Sequence, residues 1–139
     1  MYLYNEGQVR LWPYRRANGE HTVEVLQRRR AEAPDRPLIV LWDGAPYHRA
    51  QAVREAARAL TITLMPLPGY SPDLMPVEAL WRWLREDVTD HHCHASAEDL
   101  TRRVADFEVR INQDPCALAD RLWVKDHLDP DEEKLLFSK

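Results

Sequence analysis

The residues best suited to chemistry in this sequence are two carboxylates and a histidine: Asp43, Glu78 and His48. Asp43 closes an unbroken apolar run, Leu38-Ile39-Val40-Leu41-Trp42, and precedes Gly44. Glu78 lies near the end of the stretch LPGYSPDLMPVEALW, residues 67 to 81. Proline fixes φ and donates no backbone hydrogen bond, so Pro68, Pro72 and Pro76 exclude a continuous helix or a central strand there. Gly69 supplies the one freely turning position. The stretch reads as a rigid loop, and Pro76 suits the first turn of a helix that presents Glu78. A carboxylate at a strand end and one at a helix start can meet over the same sheet edge. Such oxygen donors suit a hard divalent ion such as Mg²⁺. Two such ions, bridged by a carboxylate, hold the attacking and leaving oxygens of a phosphodiester in line. The pair thus offers part of a two-metal phosphoryl-transfer site. The plainer readings are an Asp43 that caps the turn at Gly44, a proline stretch that merely connects, and a His48 that starts a helix on the surface.

The elements that must position these groups follow from pattern. MYLY and QVRLW flank Asn5-Glu6-Gly7 and predict a β-hairpin. Asn18 is a fitting N-cap for a helix from about Glu20 to Ala33, ended by Pro34 and Pro37. The run Leu38 to Trp42 lacks alternation, which predicts a strand buried on both faces, as in a parallel sheet. Ligands collect at the C-terminal ends of such strands, where Asp43 stands. A helix is expected from about His48 to Leu60 and a strand over Thr61 to Met65. The helix after the proline loop covers roughly Val77 to Val88, with Val77, Leu80, Trp81, Leu84 and Val88 as one apolar stripe. Trp81 is therefore expected in the core. Glu78, Arg82 and Arg85 lie on an adjacent face. Ser96 opens a helix to about Ile111, with Leu100, Val104, Phe107 and Ile111 as its core face. A short helix near Ala117 to Trp123 follows. The order β-β-α-β-α-β-α-α implies an α/β fold, one mixed sheet with helices packed on it. The expected domains are residues 1–125 and an acidic, disordered tail over 126–139.

The 139 residues suffice for one domain with a real core, and 45% hydrophobic with 30% charged residues is a globular composition. No apolar run approaches a membrane span, the start lacks a secretion-signal layout, and Cys93 and Cys116 make no disulfide framework. A reducing cytosol is the expected compartment. Net charge is −4, with residues 1–70 holding 10 Lys and Arg against 7 Asp and Glu, and residues 71–139 holding 9 against 16. A free-standing DNA-binding module is usually basic. This chain is not, so a nucleic-acid role needs local Arg clusters or an anchoring segment elsewhere.

LWDGAPYH followed by LPGYSPDLMPVEALW resembles the catalytic core of mariner-superfamily DDE transposases, in the branch carried by bacterial insertion sequences. Their usual pattern reads Asp-Asn-Ala-x-x-His, then Leu-Pro-x-Tyr-Ser-Pro-x-Leu-Asn-Pro-x-Glu, then Trp. Between Asp43 and Glu78 lie 34 residues, the separation typical of that superfamily. The resemblance runs from about Arg10 to Trp123. It implies a ribonuclease H-like fold, here without its first strand, with Asp43 and Glu78 as the second and third carboxylates of a catalytic triad. It implies His48 near the scissile phosphate, a Mg²⁺ or Mn²⁺ two-ion site, and Tyr70, Ser71 and Pro72 as residues that shape the loop. Gly44, Gly69 and Met75 stand where Asn, Pro and Asn are usual in the family. The family's first Asp has no counterpart in residues 1–42, which offer only Asp35, in a loop beside Pro34.

Among the remaining cations, Arg82 and Arg85 are the better candidates for DNA phosphates because they share a helix face with Glu78. Arg15 and Arg16, beside the hairpin, are further candidates, and Arg28-Arg29-Arg30 reads more simply as a solvated helix face. His91-His92-Cys93-His94 reads as a polar loop, since adjacent residues do not readily close a tetrahedron around one ion. The expected function is the catalytic portion of a cut-and-paste DNA transposase: metal-dependent phosphodiester cleavage and strand transfer at element ends. The alternative is a truncated, non-catalytic remnant or modulator that associates with intact transposase. A different ribonuclease H-like nuclease is a weaker third reading, because the Tyr-Ser-Pro string belongs to the transposases. The expected partners are transposon-end and target DNA, an N-terminal half encoded in another frame, and a second copy of the chain, with no membrane. The expected location is cytoplasmic and nucleoid-associated.

Overall fold

The computed structural model describes residues 1–69 and 75–122. Tyr70, Ser71, Pro72, Trp123 and the acidic tail lie outside the described residues. The chain divides into two units, one formed by Met1–Leu11 with the segment from Pro76 onward, the other by Trp12–Met75.

The Trp12–Met75 unit is a β-α-β unit preceded by a helix. Helix α1 spans Gly19–Glu32, strand β3 Leu38–Trp42, helix α2 Gln51–Ala59 and strand β4 Ile62–Pro66. Asn18 caps α1 as expected: its side-chain oxygen accepts the His21 N–H at 2.8 Å. Strands β3 and β4 pair in parallel, Leu38 opposite Ile62 through Trp42 opposite Pro66. Parallel neighbours need a crossover, and α2 is that crossover. Leu26, Trp42, Val53, Ala57 and Ile62 form the buried core between the helices and one sheet face.

The expectation of a strand buried on both faces is corrected. Leu38, Val40 and Trp42 turn inward, but Ile39 is 59% exposed and Leu41 58%. An unbroken apolar run carries no information on which face is covered. Here α1 and α2 pack on one face, and within the Trp12–Met75 unit nothing among the described residues covers the other. The helix expected from His48 starts at Gln51, because residues 46 to 48 form a turn. The strand expected over Thr61 to Met65 is shifted by one residue, since Thr61 takes φ +54° in the turn out of α2.

Arg29 and Arg30 are not a solvated face. Arg29 is buried and pairs with Glu32 at 3.2 Å. Arg30 ties three segments together by donating to the carbonyls of Leu60, Arg36 and Thr61 at 2.8 Å each and of Ala33 at 3.0 Å. Its planar fork of donors satisfies carbonyls at the end of α1 and in the turn before β4. Arg28 remains exposed and pairs with Glu24.

The other unit joins the hairpin segment Met1–Leu11 to the segment from Pro76 onward. Strands β1 (Tyr2–Leu3) and β2 (Gln8–Val9) make the expected hairpin, with Tyr2 opposite Val9 and Leu3 opposite Gln8. Gly7 turns it at φ +59°, where a side chain would also press on Pro115 at 3.3 Å. Helix α3 spans Pro76–Leu84 and continues as a π-helical turn over Arg85–Thr89, in which Asp90 N–H reaches Arg85 C=O at 2.7 Å. Helices α4 (Ala97–Ile111) and α5 (Pro115–Arg121) follow, capped by Ser96 and Asp114. Val9, Leu80, Leu84, Val88, Phe107, Ile111, Leu118 and Leu122 form the buried core. Trp81 does not join it: the indole is 46% exposed, and Trp83 packs on Phe107 instead. The stripe through Leu80, Leu84 and Val88 is narrow enough that position 81 falls outside it.

The described residues form two two-stranded sheets rather than one mixed sheet. Asn112 receives the Val9 N–H at 2.7 Å and donates to the Val9 C=O at 2.9 Å, so a side-chain amide takes the place of a neighbouring strand. Glu108 accepts the Leu11 N–H at 2.8 Å just beyond. Among the described residues no helix is long and apolar enough to cross a membrane.

Candidate functional site

Asp43 leaves the C-terminal end of β3 and is held by a short turn. Its Oδ1 accepts the Ala45 N–H at 3.0 Å, an Asx turn, and faces His48 Nδ1 at 2.7 Å. The turn itself is closed by His48 N–H to Ala45 C=O at 3.0 Å and Arg49 N–H to Pro46 C=O at 3.2 Å. Both side-chain bonds of Asp43 fall on Oδ1. Oδ2 accepts none among the described residues, and the side chain is 56% exposed.

The His48 ring is fixed from two sides. It stacks on Trp42 with centroids 4.5 Å apart and planes 5° apart, and meets Tyr47 edge-on at 4.5 Å and 74°. Only 20% of its side chain is exposed. Burial, followed by the Asp43 charge, raises the Tyr47 phenol above its ordinary pKa, so it stays neutral beside the carboxylate. Trp42 and Tyr47 were not legible as parts of this arrangement in the sequence. Their signal was adjacency alone: aromatics directly before Asp43 and His48.

Glu78 is exposed in the first turn of α3, where the helix dipole favours a negative charge. Arg82 follows one turn later and Arg85 opens the π-helical turn; both are exposed, and neither is in an ion pair among the described residues. Arg15 and Arg16 are exposed in the segment before Asn18. The structure thus brings Asp43 and His48 together within Trp12–Met75, with Arg15 and Arg16 in the same unit, while Glu78, Arg82 and Arg85 belong to the other unit. His94 turns inward, with Nδ1 3.9 Å from Asp99, while Cys93 is exposed.

The donors at Asp43 and Glu78 are carboxylate oxygens, and each presents an exposed group. That chemistry fits a hard divalent cation and not a soft one. No group of three His, Cys, Asp or Glu able to hold a metal ion gathers among the described residues.

Residues 1–101 match the DDE superfamily endonuclease family. That segment includes Asp43, His48 and Glu78 together with Arg15, Arg16, Arg82 and Arg85. The chain is also similar to the Mariner Mos1 transposase of Drosophila mauritiana, 45% identical over 54 residues. The match spans 37% of this chain but only 16% of that relative's length.

Proposed function

The chain belongs to the DDE superfamily endonuclease family, and from that premise we propose that it is part of the catalytic domain of a cut-and-paste DNA transposase. The observation that carries the reading is Asp43: a carboxylate at a parallel strand's C-terminal end, braced on one oxygen and open on the other, inside the family segment. We read the β3-α2-β4 unit as part of a ribonuclease H-like fold. Asp43 and Glu78 would hold Mg²⁺ or Mn²⁺, with a further carboxylate from outside the described residues. A hard divalent cation there supplies Lewis-acid chemistry to a phosphodiester. Asp43 contributes Oδ2, and Glu78 contributes a carboxylate at the start of α3. Arg82, Arg85, Arg15 and Arg16 would neutralise phosphates of element-end and target DNA. The reaction is cleavage at the element's end, followed by joining of the freed 3′-hydroxyl to target DNA.

The test uses the complete transposase, whether full-length, assembled from two parts or formed with a second copy. Asp43→Ala and Glu78→Ala are each expected to reduce nicking of element-end DNA to background. Normal nicking by either variant overturns the assignment of that residue. A second reading has its own support, the exposed Ile39, Leu41 and Met65 on the β3–β4 pair. An apolar face of that kind favours a non-catalytic chain that associates with intact transposase and interferes with it. Under this reading, adding the chain to active transposase lowers nicking, and Asp43→Ala lowers it equally well.

A further inference from the structure

The histidine of the Asp43 turn has two nitrogens that could act, and the geometry separates them. Nδ1 lies 2.7 Å from Asp43 Oδ1 and 3.4 Å from the Asp43 carbonyl oxygen. Nε2 has no partner among the described residues. The ring is clamped in plane against Trp42 and bounded by Tyr47, so it is not free to swing toward a ligand. Oδ1 already accepts the Ala45 N–H at 3.0 Å. Two donors on one carboxylate oxygen fix the rotation of the carboxylate and leave the second oxygen as the donor atom for a cation. Outer partners of this kind commonly set a metal ligand's orientation, and their loss costs about 10–100-fold in affinity.

We infer that His48 is a positioning residue: through Nδ1–H it fixes Oδ1 of Asp43, so that Oδ2 is the oxygen offered to the divalent cation. The inference rests on the reading of Asp43 as a cation ligand. It assigns His48 no contact with the scissile phosphate. The Trp42 indole holds the imidazole plane, and the turn from Ala45 to Arg49 sets its height over the strand end. Asparagine places an amide nitrogen near the Nδ1 position, whereas glutamine reaches the Nε2 position. The two substitutions therefore discriminate between the two ring nitrogens.

The experiment is a Mn²⁺ titration of the full chain followed by paramagnetic broadening in ¹H–¹⁵N NMR spectra, with wild type, His48→Asn, His48→Gln, His48→Ala and Asp43→Asn compared. Broadening centred on residues 43 to 45 is expected in the wild type. It should require about 10-fold more Mn²⁺ in His48→Ala and His48→Gln, and return close to wild type in His48→Asn. The wild-type spectrum should also show a protonated Nδ1 on His48, a readout that needs no variant to fold. An unprotonated Nδ1, rescue by glutamine and not asparagine, or wild-type behaviour of His48→Ala overturns the inference while leaving Asp43 as ligand. No broadening near Asp43 in the wild type, or undiminished broadening in Asp43→Asn, overturns the ligand reading and the inference with it.

Discussion

The two units of this chain are built on opposite principles. Trp12–Met75 is one continuous stretch in which each element packs on others no more than two places away in sequence, and its polar tie from Arg30 to Thr61 spans 31 positions. The other unit is assembled from segments far apart, and its tie from Val9 to Asn112 spans 103. Both solve the same problem, a backbone edge that needs partners, with one forked side chain. Arg30 gathers carbonyls at the end of α1 and before β4. Asn112 offers both a donor and an acceptor to a single strand residue. The candidate ligand Asp43 thus stands on a locally determined scaffold, whereas Glu78 stands on a helix whose core depends on closing a long loop.

Substitutions in the long-range unit test this difference. Phe107→Ala should have the largest effect, about 3–5 kcal/mol, because Phe107 is buried at the centre of that core and truncation leaves a cavity. Chemical denaturation followed by tryptophan fluorescence measures it. A loss below about 1 kcal/mol would mean that the core does not depend on the contact between α3 and α4.

Asn112→Ala should cost about 2 kcal/mol, since it leaves the Val9 N–H and C=O without their partner. Hydrogen exchange at Val9 should accelerate while amides of β3 and β4 keep their rates. Equal acceleration in both units would show that the two are one cooperative body.

The smallest effect is one of pH. With its amine free, Met1 donates to the Arg10 carbonyl at 2.8 Å, and burial lowers the amine from 8.0 to about 6 against the opposing pull of Glu108. Between those values the unfolded chain binds the extra proton, so stability is full above pH 8 and falls as the pH drops to about 6. The change is at most about 2 kcal/mol. It should appear as a slope in denaturation midpoints between pH 6 and 8 and vanish when the amine is acetylated. A slope of the opposite sign would mean that Glu108 dominates.

Legibility followed the same division. The Asn18 cap, the parallel β3–β4 pair and the position of Asp43 at a strand end were readable because each follows from neighbours in sequence. The hairpin was readable from its turn, but its dock onto Asn112 was not, since nothing in a lone Asn marks a partner 103 positions away. Trp81 was misplaced because helical periodicity gives the apolar side of a helix and not the width of the groove that receives it. Arg29 and Arg30 were misread for a related reason: three consecutive arginines look alike in sequence, and only the burial of Arg29 and the carbonyl bonds of Arg30 separate them from Arg28.

Residue type and spacing alone single out the candidate groups. Asp43, His48 and Glu78 are set by residue type and by spacing along the chain, and the prolines before Glu78 restrict the backbone wherever they stand. Where the histidine ring lies follows from tertiary packing. A strand carries Trp42 to the edge, a turn folds His48 back over its indole, and the imidazole then meets Oδ1 at 2.7 Å and leaves Oδ2 open. That outcome depends on distances between side chains five and six positions apart in a turn. Such distances are fixed by packing and hydrogen bonding together, and no pattern of residue types encodes them.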